Sequence, residues 1–221
     1  MGLVTVCGAV FVGLSGSLQA DDTVLGGSLT LSVVSLMIAG VVGALTMCGE
    51  YASGTATSTF AAVPRRGRVL AAKAALLAGV LYGLSLVACA VAYAVGGAVL
   101  EDGAHARGEP MPALLGIAGL FAVVGVLGLA AGVLVRHSAG AVTSVISVML
   151  LPSLFGPLLG DAQRWIAGAT PTTALEKLTQ TSDASPETVG SLGAWPSLAL
   201  VAAYTAALLC IAARRLRRRD A

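Results

Sequence analysis

Long uninterrupted apolar runs, separated by short polar stretches, dominate this chain. A helical crossing of a bilayer takes about 20 apolar residues. Six runs approach or exceed that length: about Leu3–Gln19, Leu25–Cys48, Val69–Leu100, Ala113–Val135, Ala139–Gly160 and Ser197–Ala213. Apolar residues follow one another rather than alternating, so the runs predict helices and not barrel strands. The third run exceeds a perpendicular crossing, which predicts tilt or extension beyond the lipid. The expected fold is all-α and polytopic, with six transmembrane helices in a single transmembrane domain, residues 1–221. A cleaved leader is the competing reading of the first run. No positive segment precedes it, however, and a cut after Ala20 would put Leu18 where a small residue is wanted.

The polar stretches predict irregular structure with two exceptions. Between the second and third runs, Ser53 is placed to cap a short helix starting near Gly54. Pro64 would end that helix, since the residue before proline avoids the α region. Arg65, Arg66 and Arg68 would then lie at its C-terminus and against anionic headgroups. In the fifth run, Pro152 and Pro157 predict a break or kink. Short re-entrant or interfacial helices are expected between about Leu151 and Leu178, the second over Thr172–Thr179. Glycine pairs four apart, Gly79 and Gly83, Gly128 and Gly132, and Gly156 and Gly160, have the spacing that lets helices approach closely. In a chain with 28 glycines such spacings also arise by chance, so together they predict only a tightly packed bundle.

Composition agrees with the pattern. Hydrophobic residues make up 57% and charged residues 11%, where soluble domains have roughly 45–50% and about 25%. Mean hydropathy is +0.90. A water-soluble fold would lack polar surface, and disorder is excluded because disordered chains are poor in apolar residues. The basic residues divide by side. Arg65, Arg66, Arg68, Lys73, Arg136, Arg214, Arg215, Arg217, Arg218 and Arg219 fall on one; Arg107, Arg164 and Lys177 fall on the other. The positive-inside rule makes the first side cytoplasmic, so both termini are expected inside the cell membrane. Trp165 and Trp195 fall near the expected outer interface, and none of the four cysteines lies in an outer loop.

Candidate chemistry is sparse. There is no phosphate-binding loop of the G-x-x-x-x-G-K-[ST] form, so the chain is not expected to hydrolyse ATP itself. No His or Cys spacing points to a metal, and His105 and His137 read as loop residues. Ser144 and Ser147, inside the fifth run, have no histidine partner and are expected to bond locally. No ionisable residue lies in the middle of a run; Lys73, near the start of the third, can snorkel to water. Ion-coupled transporters place such groups in the bilayer. Any pumping would therefore draw energy from a partner pushing on the cytoplasmic side, and the cargo would be apolar or amphipathic.

The inner segment carries a resemblance. Glu50-Tyr51-Ala52-Ser53-Gly54-Thr55, then Ala61-Ala62-Val63-Pro64-Arg65-Arg66, then Ala71-Ala72-Lys73, resembles the inner loop of ABC-type export permeases, in particular the actinobacterial subset. Arg136-His137-Ser138-Ala139-Gly140-Ala141, Pro152 and the basic tail are similar as well. The resemblance implies a six-helix bundle with both ends inside, dimerisation with an identical or different permease subunit, and a separate ATPase subunit that binds ATP and Mg. No cofactor is expected in this chain and no nucleic acid partner. It further implies that Glu50–Val63 form a coupling helix docked in the ATPase. The site residues carried over are Glu50, Tyr51, Ser53, Gly54, Thr55, Phe60, Pro64, Arg65 and Arg66. Re-entrant helices before the last span are implied too, where Pro152 and Pro157 stand. The chain departs from the pattern at its start, where Met1-Gly2-Leu3 enters apolar sequence without a charged amphipathic helix.

The expected function is thus the permease subunit of an ATP-driven exporter, of the kind that confers efflux and antibiotic resistance, and not an enzyme. A non-transporting scaffold or immunity protein is the alternative. A membrane-embedded enzyme is less favoured because no polar catalytic group stands at a defined depth.

Overall fold

A computed structural model describes residues 2–15, 24–29, 31–55, 66–100, 110–155, 169–180 and 192–218. These are helical almost throughout, with no strand among them: α1 (Gly2–Ser15), α2 (Val24–Ser28), α3 (Ser32–Ala52), α4 (Arg66–Leu100), α5 (Pro110–Val135), α6 (Ser138–Phe155), α7 (Pro171–Thr179) and α8 (Ala194–Arg218). Four of them, α3, α4, α5 and α8, are long and apolar enough to cross a membrane. The chain is accordingly a membrane-embedded helical protein. α6 is apolar but shorter, and α1 spans 14 residues.

The most apolar spanning helix, α5, is the hub. α3, α4, α6, α7 and α8 all pack on it, and Ile117, Ala118, Leu120, Phe121 and Val124 lose essentially all exposure there. α1 and α2 pack mainly on α4, and α1 also reaches α3. α6 lies against α3 and α5. α8 completes the ring on the other side, against α5, α4 and α7. Among the described residues α6 and α8 scarcely touch, which leaves a seam between them.

Glycine sets the tightest crossing. A Cβ at Gly43 of α3 would run into the carbonyl oxygen of Gly125 of α5, and one at Gly128 into that of Gly40. A Cβ at Gly132 would crowd the carbonyl of Ala44. Backbones meet here because nothing stands between them. The pair Gly128 and Gly132 is thus a helix contact, whereas Gly79 and Gly83 face open space on α4. Gly156 and Gly160 lie outside the described residues.

The structure corrects two expected spans. The second run is not continuous from Leu25 to Cys48. It divides into α2 and α3 at a turn, where Leu29 N–H donates to Gly26 O at 3.2 Å and Ser32 N–H to Leu29 O at 2.8 Å. Gly26, Gly27 and Ser28 are weak helix formers, and the buried Leu25 and Leu29 anchor the short α2 instead. α3 then continues past Cys48 to Ala52. In the fifth run, Pro152 does not break the helix, since α6 runs through it to Phe155. Proline removes one hydrogen bond from the ladder. Beside that gap the Thr172 hydroxyl of α7 donates to Met149 O at 3.5 Å, the kind of support neighbours lend a proline inside a spanning helix. Pro157 lies outside the described residues.

The short helix expected over Thr172–Thr179 is present as α7. Thr170 caps it, accepting from Thr173 N–H at 3.3 Å, and Pro171 stands at its first turn. Leu175 and Leu178 fill the core, and the Lys177 ammonium donates to Ser197 Oγ of α8 at 3.3 Å. Desolvation pushes Lys177 below its ordinary range, with Glu176 acting the other way.

Candidate functional site at the basic end of the bundle

Residues distant in sequence converge where α3 ends, α4 begins and α5 and α8 end. Met47, Leu70, Ala74, Leu129, Val133, Ala212 and Leu216 form one buried cluster there. Around it stand the polar residues. Glu50 is on the last turn of α3, and its Oε2 accepts from the Lys73 ammonium in a salt bridge. Lys73 therefore does not merely snorkel; it closes the base of the segment between α3 and α4. Both side chains are about three-quarters covered.

Tyr51, the next residue, lies under the Arg136 guanidinium, 5.2 Å from the ring centroid. Arg136 follows α5 and has φ +57°, a left-handed conformation that glycine adopts freely and other residues at a cost. Its N–H donates to Gly132 O at 3.0 Å, closing the helix C-terminus. The next residue, His137, accepts from Gly140 N–H through Nδ1 at 3.4 Å and so caps α6. Arg136 also shares a small surface notch with Arg215 of α8, walled by Val133, Leu134 and Leu216.

The sequence placed Glu50, Tyr51, Ser53, Gly54 and Thr55 in a loop. Glu50 and Tyr51 are helical instead. Ser53 caps the C-terminus of α3, its N–H donating to Gly49 O at 3.0 Å, and helix resumes at Thr55, close to the expected start near Gly54. Gly54 turns the chain with φ +72°. The Ser53 and Thr55 hydroxyls lie 2.8 Å apart, and both reach the Glu50 carbonyl, at 3.4 and 3.5 Å. Five expected site residues are thus one knot at the end of α3. Phe60, Pro64 and Arg65 lie outside the described residues, and Arg66 opens α4. The pairing of Glu50 with Lys73 was missed because the two stand 23 residues apart. Their opposite charges at facing run boundaries were the available signal.

Of the basic residues, Lys73, Arg136 and Arg215 lie at this end and Lys177 at the opposite one, the ends expected for these four. Among the described residues no His, Cys, Asp or Glu group has the grouping of a metal site, and all four cysteines are free. No family model matches the chain, and no curated protein or solved structure does either.

Proposed function

We propose that the chain is the membrane-spanning permease subunit of an ATP-driven exporter, moving an apolar or amphipathic cargo with energy from a separate ATPase. In this reading α1, α3, α4, α5, α6 and α8 are six crossings, and α7 is re-entrant. Both termini are cytoplasmic, and the subunit works as a homo- or heterodimer in the cell membrane. ATP and Mg belong to the partner.

The observation that carries this reading is the Glu50–Lys73 pair. It staples the two ends of the segment that resembles a coupling loop. A push on that segment reaches α3 and α4 together instead of dissipating in a slack loop. α3 passes it to the hub, because the glycine crossing with α5 leaves no soft side chain between backbones. The uncharged middles of the spanning helices suit a subunit that carries no coupling ion.

Thr55→p-benzoylphenylalanine tests the reading. Illumination in intact cells is expected to join the chain to a protein that azido-ATP also labels. Adducts with lipid alone, or access to position 55 from outside the cell, would overturn it.

A further inference from the structure

We infer that the open seam between α6 and α8, with the two arginines at its basic end, is a binding site for an anionic phospholipid. The seam holds two adjoining apolar cavities. One, about 280 Å³, is walled by α5, α6 and α8, with Leu134, Val135 and Leu208 toward the basic end. The other, about 390 Å³, continues toward Pro152 and Thr170 at the far end of α6. Val148 and Tyr204 line both, so the two form one furrow along the helices. Its volume lies in the range of small-molecule sites, and among the described residues no charged one lines it.

The furrow's basic end meets the notch that holds Arg136 and Arg215, with Leu134 in the wall of both. An acyl chain in the furrow thus has its headgroup at two guanidiniums. Such groups bind phosphate with paired N–H donors. Among the described residues neither arginine is paired with a carboxylate; Glu50, the carboxylate described at this end, is held by Lys73. Arg136 keeps its place in a left-handed conformation where glycine would be unstrained, and the Tyr51 ring supports its guanidinium. A strained residue that keeps a long cationic side chain points to a use for that side chain. Both arginines end apolar helices, the depth at which headgroup phosphates lie. A zwitterionic lipid would fill the furrow equally well but would bring a compensating ammonium to the arginines. The ligand is therefore a lipid with net negative charge at its phosphate, and the site does not depend on the export reading.

Lipid affinity of the purified full chain, delipidated in a neutral detergent, tests this by native mass spectrometry. Phosphatidylglycerol is expected to bind in preference to phosphatidylcholine. R136Q/R215Q is expected to lower phosphatidylglycerol affinity by about ten- to thirtyfold, with phosphatidylcholine nearly unchanged. Val148→Trp, which fills the furrow, is expected to weaken both lipids. Glycerol phosphate, the headgroup without chains, is expected not to compete, and competition by it would reassign the notch to a free phosphate. R68Q/R214Q removes the same charge from exposed arginines outside the notch and is expected to keep the preference. An equal loss there would show diffuse attraction and overturn the site. So would a photoreactive residue at Val148 linking two copies of the chain, because the furrow would then hold protein. A single cooperative thermal transition of the arginine variants in lipid-free detergent, lowered by no more than loss of the Tyr51 contact entails, shows that they remain folded.

Discussion

Arg136 shows how one residue serves two ends. Its left-handed backbone closes α5, and its guanidinium rests on Tyr51 of α3. These contributions have opposite signs on substitution. Arg136→Gly gives up a ring contact of about 0.5–1 kcal/mol but relieves a left-handed backbone costing about 1 kcal/mol. Arg136→Ala gives up the contact and keeps the strain. Chemical unfolding in detergent is expected to find the glycine variant near wild type and the alanine variant about 0.5–1 kcal/mol less stable. Little of this was legible in the sequence. Arg136 read as one positive charge among ten on its side, because a backbone conformation leaves no trace in residue type unless glycine marks it. Glu50 and Tyr51 were picked out as site residues, but as loop residues, because the apolar run ends at Cys48 while the helix does not.

Among elements, the crossing of α3 and α5 decides the bundle. Gly128→Ala puts a methyl group against the Gly40 carbonyl, and overpacking of this kind costs about 1–3 kcal/mol. Gly79→Ala places the same methyl in open space and gains about 0.5–1 kcal/mol of helix preference. Thermal unfolding of the two variants is expected to move in opposite directions. The spacing of four residues is the same at both sites, so the sequence did not distinguish them. Which face meets a neighbour depends on packing, and α4 turns Leu76, Val80, Leu84 and Val87 outward with its glycines. Helix existence was the legible part. Apolar runs located α4, α5 and α8 closely, and Pro171 with its threonines marked α7. The division of α2 from α3 was hidden inside one apolar run. The passage of α6 through Pro152 draws on Thr172, 20 residues further on, which local rules do not see.

At the scale of the molecule, a hub helix and an incomplete ring yield two distinct regions. One is the knotted, charged end, where Glu50, Lys73, Tyr51 and Arg136 tie three helices. The other is the apolar furrow left between α6 and α8. The division of basic residues between the two ends was legible as a charge pattern, since the membrane itself imposes it. The central claim is that force enters at the charged end from an ATPase. ATP hydrolysis by the tagged chain with its bound partner, purified into nanodiscs, tests it most directly. The intact chain is expected to carry vanadate-sensitive hydrolysis stimulated by amphipathic cargo. Glu50→Lys is expected to abolish the stimulation while leaving the chain folded in thermal unfolding, because the pair is only partly buried. Adding Lys73→Glu, which restores the pair with its charges exchanged, is expected to recover most of it. Hydrolysis absent from the intact chain, or cargo stimulation indifferent to both substitutions, would contradict the account.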